Sequence, residues 1–448
     1  MNNISKFLSK FKKSTYKYSF SAALIILLII ILELYLIIPI YNASKEKEAS
    51  TEIYFATNIS DAHKKIINRF NKLYQGKIKV IPVDLPFKIF NTNERKELLA
   101  RSLRSKSDRM DLFEVDIIWV KRFAKWCMKL DELFGPEERT KFLPKALVSC
   151  YEDSNLVAIP HYFDIGVLFY RDDLLRNIPN YKILKSKLQK SITWKEFIEL
   201  SKYSRSEKYP FYIFPAEDYE GLVCSYIELV TSLNKNFFEH KKIDLMQPES
   251  VRALTLLVNF VRNKISPAEV LDFNENSGYE YFLKNDGLFF RGWPNFTKDH
   301  KNLYQDESKT KYLVKAALPH FEGQDPGFII GGWNIMVSKY TNKKKEVGEF
   351  LKFIVSDEAQ KILYDEGGYL PTLNKFYEDS VLTNQFPDLS YIKYLQNYGV
   401  HRPFLEDYTR ISDILAHYIH KAIKGDITIN QALEEATNLI NSKKIILK

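Results

Sequence analysis

Three cysteines, Cys127, Cys150 and Cys224, stand in 448 residues, and so sparse and odd a set excludes a disulfide-framed fold. Their spacing matches no zinc or redox motif. One disulfide with a free thiol and three buried thiols both fit it. GxSxG, Walker A and HExxH are also missing, which removes the local signatures of α/β-hydrolases, P-loop phosphate binders and zinc proteases. Acidic pairs such as Asp164 with Asp325 are available to any chain with this many carboxylates, and nothing marks one as a glycosidase pair. His417 and His420 lie i,i+3 on one helix face without a carboxylate or cysteine partner close by in sequence. No fixed-period repeat and no low-complexity tract occurs. The expectation is a protein that is not an enzyme and holds no cofactor and no metal.

A basic stripe interleaved with aromatics, the electrostatic footprint of nucleic-acid binding, is absent too. The net charge of +9 instead begins with five lysines, Lys6, Lys10, Lys12, Lys13 and Lys17, that precede any acidic residue. Long apolar runs are confined to one, SAALIILLIIILELYLIIPI at residues 21–40, broken by Glu33 and closed by Pro39. Its length suits a bilayer span, and the lysines before it favour an N-terminus in the cytoplasm. A cleaved signal peptide is the competing reading, but the run exceeds a usual signal core and Tyr41 stands where cleavage before Ala43 needs a small residue. The expected layout is a basic cytoplasmic tail at 1–17, a transmembrane anchor at 18–41, a charged linker at 42–50, and a body held at the cell membrane outside the cytoplasm.

That body is large, 45% hydrophobic and 14% aromatic over the chain, so it can bury a sizeable core in two lobes. Residues 53–56 and 78–83 read as strands around a helix carrying Ala62, Ile66, Phe70 and Leu73, the βαβ unit of a parallel sheet. VDIIWV at 115–120 reads as a buried strand. Residues 156–160 and 166–171 read as two more strands, and Thr193 with Glu196 as a capping box. Helices are expected over 248–263, 343–355, 357–365, 411–424 and 429–441.

Four of the sixteen glycines fall in FEGQDPGFIIGGWNIMVSK, residues 321–339, a polar turn running straight into an alternating strand. Gly331 and Gly332 before Trp333 would set a bare backbone beside a flat apolar ring. This stretch, continued by YTNKKKEVGEFLKFIVSDEAQK and GGYLPT, and joined by DYEGLVC at 218–224 and FRGWPN at 290–295, resembles family 1 of the extracellular solute-binding proteins, the carbohydrate receptors of ABC importers. Within that family it is similar to the trehalose/maltose-binding branch. The resemblance implies a two-lobe periplasmic-binding-protein-like α/β fold with several interlobe crossovers. It implies one lobe from 51–161 plus 317–380 and another from 162–316 plus 381–448. It also implies a di- or oligosaccharide ligand and permease subunits of an ABC importer as partners.

Candidate ligand residues follow. Trp293 and Trp333 are the expected stacking pair, since an aromatic face suits the C–H groups of a pyranose. Asp164 in HYFDIGVLFYRDDLL is the expected polar contact, because a carboxylate accepts two hydroxyl hydrogens. The resemblance adds Tyr162, Tyr219, Glu220, Asn58 and Tyr369, with Glu220 alternatively capping the next helix, while Gly332 before Trp333 and Trp119 near the end of the 115–120 strand are candidates from the residues themselves. Lys121 departs from the acidic residue common there in relatives, and in the cleft it would favour an acidic or phosphorylated ligand or lower the affinity for a neutral disaccharide. A sensing module that signals to a membrane partner, or a degenerate relative that binds a protein, are the rival functions.

Overall fold

The computed structural model describes residues 50–448, apart from 88, 91, 208, 240–241, 300–306, 406 and 443–448, together with helical residues 25, 27–33 and 35. The expected tail and most of the expected anchor lie outside the described residues. No helix among the described residues is long and apolar enough to cross a membrane. Residues 52–73 and 80–448 cluster as one unit.

Nearly all strand residues belong to that unit, and the described strands form two main sheets. The larger begins with β1 (Thr51–Thr57), α1 (Asp61–Leu73) and β2 (Ile78–Asp84). Helix α1 turns Ala62, Ile66 and Phe70 to the core, the 3.6-residue spacing legible in the sequence. Helix α2 (Thr92–Arg104) leads to β3 (Leu112–Asp116), which pairs parallel to β1 with Phe55 opposite Leu112. The expected strand over 115–120 is corrected here. The chain leaves the sheet at Asp116, whose carboxylate accepts the Ile118 N–H at 3.2 Å and caps a tight turn at Ile117–Trp119. A short-side-chain acid inside an apolar run caps a helical start better than it continues a ladder.

Strand β4 (Ile159–Ile165) closes one side of the larger sheet and passes through Gly166 into β5 (Val167–Arg171) of the smaller one. There β5 pairs antiparallel with β7 (Phe289–Gly292) and with β8 (Leu313–Ala316), while β6 (Tyr212–Ile213) pairs parallel with β7. Helices α3 (Glu220–Leu233), α4 (Pro248–Arg262) and α5 (Glu275–Lys284) come from the same half of the chain. The Thr193–Glu196 capping box forms as expected, with the Glu196 N–H donating to Thr193 Oγ1 at 3.1 Å.

The ten-residue strand β9 (Phe328–Val337) brings the chain back to the larger sheet. Along one edge it meets β4, with Gly331 opposite Asp164 and Trp333 opposite Tyr162. Along the other it pairs first with β10 (Gly399–His401) and then with β3, Trp333 standing opposite Asp116. Gly331 and Gly332 therefore lie where β9 changes partner, and several chain crossings meet at that point. Helices α6 (Lys344–Ile354) and α7 (Asp357–Ile362) follow, and α8 (Tyr408–Lys424) and α9 (Ile429–Ser442) pack against each other and reach α4. Strand β10, from the segment expected in the second lobe, pairs in the larger sheet.

Gly332 has φ +141°, and a Cβ there would lie 2.7 Å from the Tyr162 carbonyl oxygen. Gly323 has φ +75° but open space around it. Gly332→Ala is expected to lower unfolding free energy by about 3 kcal/mol or more, and Gly323→Ala by roughly 1 kcal/mol, in urea titrations. Equal losses would mean that the close approach of β4 to β9 is not what position 332 requires.

Candidate functional site

Where these crossings meet, a cleft of about 920 Å³ opens between the two sheets. Trp333 lines it from β9 and Trp293 from the turn after β7. Asp164, Tyr162, Gly332, Tyr219, Glu220 and Asn58 also line it, so eight of the ten residues singled out from the sequence converge there. Trp119 does not. It is 2% exposed, with the Lys96 ammonium 4.7 Å from its ring and Tyr408 packed 6.2 Å away, and belongs to the interior. Tyr369 is buried behind the wall, its ring 4.6 Å from that of Tyr162.

Several of the lining side chains are held from behind. Trp293 Nε1 donates to Glu275 Oε1 at 3.4 Å, and Gly331 leaves room for the indole, since a Cβ there would lie 3.1 Å from Trp293 Cζ3. Tyr219 donates to the other oxygen of Glu275 and accepts the Glu275 N–H at 3.0 Å, tying the start of α3 to the start of α5. Asn58 Oδ1 accepts the Phe87 N–H at 3.2 Å, which fixes the loop carrying Phe87 against Trp333. Beneath the cleft Glu228 receives Arg291 at 2.7 and 3.1 Å and the Ile329 N–H at 3.2 Å, pinning α3 to both β7 and β9.

Arg402 was not singled out in the sequence, yet it organises the floor. Its two terminal nitrogens each donate at 2.8 Å, one to Asp116 from β3 and one to Glu220 from α3. Glu220 also accepts the hydroxyls of Tyr408, at 2.8 Å, and Ser412. Burial pushes its carboxyl above the usual range, against the pull of Arg402 and Ser412. The role of Glu220 is this knot; no side-chain cap is made at the start of α3, where Tyr219 is the N-cap. Asp116 gave one signal in the sequence, a carboxylate inside an apolar run. Arg402, after a three-residue strand and before Pro403, gave none that periodicity can register.

Asp164 is a cleft carboxylate only lightly engaged by its neighbours, its one hydrogen bond among the described residues coming from the adjacent Ile165 N–H, at 3.0 Å. Burial raises its pKa well above the usual carboxylate range, with nearby Asp116 and Glu275 adding to the rise and Arg291 opposing it. Among the described residues, seven carboxylate side chains and three basic ones line the cleft, and Lys121 is not one of them. The field there is acidic, contrary to what Lys121 in the cleft would have meant.

Behind Tyr162, the side chains of His63, Glu114 and His161 bring ligand-type atoms within 4.8 Å of one another. Both Glu114 oxygens are engaged, one by His161 Nδ1 and one by the Thr57 hydroxyl, and His63 Nδ1 meets Ser60 Oγ at 2.7 Å. Burial raises the Glu114 pKa, but His161, His63 and Thr57 more than offset it and hold the carboxyl below its usual range. Burial lowers His63 to about 3, so that ring stays neutral. With both Glu114 oxygens committed, the group is a buried hydrogen-bond network that supports the wall. His417 and His420 are occupied separately, by Asp218 at 3.1 Å and the Ala216 carbonyl at 2.8 Å.

Two outcomes are expected. Arg402→Met leaves Asp116 and Glu220 buried without their cation and should cost about 3–5 kcal/mol in denaturant titrations. Asp164 has a raised folded-state pKa, so it costs stability increasingly as pH rises from its ordinary value to that raised one. Asp164→Asn should melt above the wild type at about pH 7, and the difference should vanish near pH 3. A wild type with the higher melting point at neutral pH would show that the carboxylate is stabilised in place.

The sequence matches the family described as bacterial extracellular solute-binding protein over residues 56–361. It is 23% identical over 338 residues to a "Probable ABC transporter-binding protein" of Deinococcus radiodurans, covering 74% of this chain and 79% of that one. The maltose-bound MalE3 of T. maritima superposes with a TM-score of 0.78 at 24% identity, over 88% of this chain and 99% of that one. The GacH receptor of Streptomyces glaucescens, solved unliganded and with acarbose and an acarbose homolog, gives 0.75 at 17% identity over 88% and 98%. These likenesses establish the two-lobe periplasmic-binding-protein-like α/β fold, and the family match covers most of the body. The chain is a member of the bacterial extracellular solute-binding protein family.

Proposed function

We propose that this protein is a membrane-tethered, extracytoplasmic carbohydrate receptor that closes around a di- or oligosaccharide and delivers it to the permease subunits of an ABC importer. The observation that carries the reading is the meeting of two tryptophans, Trp333 from β9 of the larger sheet and Trp293 from the turn after β7 of the smaller one, in one cleft with the lightly engaged carboxylate of Asp164. Flat rings take the C–H faces of a pyranose, and Asp164 takes its hydroxyls. Tyr162, Tyr219, Asn58 and the bare backbone at Gly332 complete the contact surface, while Glu220 acts through Arg402. The binding of maltose and acarbose by the relatives MalE3 and GacH supports the same ligand class. The acidic lining favours a neutral sugar over an acidic one.

In this reading the lobes are 51–161 plus 317–380 and 162–316 plus 381–448, with β10 lent to the first. Residues 18–41 are the anchor, behind the basic tail at 1–17 and before the linker at 42–50. Closure follows from differential contact: a ligand that touches both lobes only when they are shut shifts the equilibrium towards the shut state.

A panel of maltose, trehalose, maltotriose and a glucuronate-containing disaccharide, added to the purified chain, tests the reading by thermal shift and calorimetry. At least one neutral member should raise the melting temperature, as any ligand of the native state must. Trp333→Ala should weaken that ligand about tenfold or more. No shift with any sugar, or a Trp333→Ala variant that binds as tightly, would remove the carbohydrate reading.

A further inference from the structure

Both cleft tryptophans rest against a buried guanidinium. Arg291 Cζ lies 4.2 Å from the centre of the Trp293 ring, and Arg95 Cζ lies 4.4 Å from that of Trp333. The two arginines differ in what else they hold. Arg291 is paired with Glu228 through two hydrogen bonds. Arg95 is 1% exposed, and among the described residues none of its three guanidinium nitrogens has a hydrogen-bond partner. Its close company is aromatic, with the Phe87 ring 4.1 Å away and the Phe87 and Trp333 planes meeting at 73°.

An unpaired buried charge is among the most costly groups a fold can keep. The charge balance offered to Arg95 comes at range, first from Glu114, whose own oxygens are occupied by His161 and Thr57. A methionine would fill the same space without a charge. What the charge adds is attraction to a ring face, which is strongest where water is excluded. Arg95 also sits one turn along α2 from Thr92, which lines the cleft, so it lies directly behind the wall that Phe87 and Trp333 present.

We propose that Arg95 is a positioning residue for ligand recognition: seated in the angle between Phe87 and Trp333, it fixes the Trp333 indole as a preset plate and so sets the affinity of the cleft. The proposal rests on the saccharide-receptor reading for its effect on affinity, but not for its effect on the ring. A ring already immobile loses little freedom when a sugar stacks on it, and preorganisation of that kind is a general source of affinity.

The test compares wild type, Arg95→Met and Arg95→Lys in the full chain. Nitrogen relaxation of the Trp333 indole N–H, assigned with Trp333→Phe, is measured without ligand, and saccharide affinity and melting temperature are measured beside it. Arg95→Met should melt no lower than wild type, because a buried charge has gone. Its Trp333 indole order parameter should nevertheless fall clearly below that of the wild type. The saccharide that wild type binds should bind it about threefold to tenfold more weakly. Arg95→Lys keeps a cation over the rings and should retain most of both properties. If Arg95→Met does not melt cooperatively, Arg95→Gln makes the same comparison without the charge. An unchanged order parameter, or an affinity unchanged or tighter, overturns the proposal. A wild type that binds no sugar overturns the receptor reading instead, and the ligand-free relaxation data still decide whether Arg95 holds the ring.

Discussion

Two carboxylates from different parts of the fold share one cation at the bottom of the cleft. Asp116 ends β3, Glu220 opens α3, and Arg402 stands 2.8 Å from each. All three are largely buried at the floor of the cleft. In a setting of low effective dielectric such a triad tolerates little displacement, because losing one contact exposes a charge to the full cost of desolvation. The segment after β10 is thereby fixed between the end of a strand in the larger sheet and the first turn of a helix beyond it. Tyr408 and Ser412 on α8 add their hydroxyls to Glu220 and carry the same constraint to the C-terminal helices. The Glu228 contacts to Arg291 and Ile329 form a second such junction, and Gly166 can carry no side chain there because a Cβ would lie 2.1 Å from Glu228 Oε1.

With the floor set by these ionic junctions, the walls are set by backbone space. Strand β9 has to pass close to β4 and leave room for Trp293, and both demands fall on Gly331 and Gly332. The strand then delivers Trp333 one residue later, opposite Tyr162 on one side and Asp116 on the other. Local sequence, sheet register and ring placement thus agree at one point in the chain. Asp164 is the exception to this mutual satisfaction. Its neighbours leave it with a single backbone donor, and burial raises its pKa.

Much of this was legible in the sequence, and the reasons differ by residue. Helix α1, the Thr193–Glu196 box and the glycine turn were readable because local spacing alone determines them. Trp293 and Trp333 were legible as cleft-lining residues from the glycines and proline beside them, and Asp164 from the family resemblance and the chemistry of a carboxylate. Trp119 was misplaced by the same local reasoning: a tryptophan at a strand end looks like a wall residue, but the strand stops at Asp116 and the turn that follows buries the ring. Tyr369 is one ring too deep, behind Tyr162. Arg402 and Arg95 were out of reach, since their partners lie far away in the chain and no local pattern distinguishes a buried arginine from a solvated one.

The central claim is that Trp293 and Trp333 form two plates of one saccharide site. Hydroxyl-radical footprinting of the chain with and without its tightest-binding sugar measures this most directly. Trp293 and Trp333 should lose reactivity together, several-fold, while Trp126, partly exposed outside the cleft, stays as it was. Saturating sugar that leaves both cleft tryptophans as reactive as before, or that protects only one, would contradict the account.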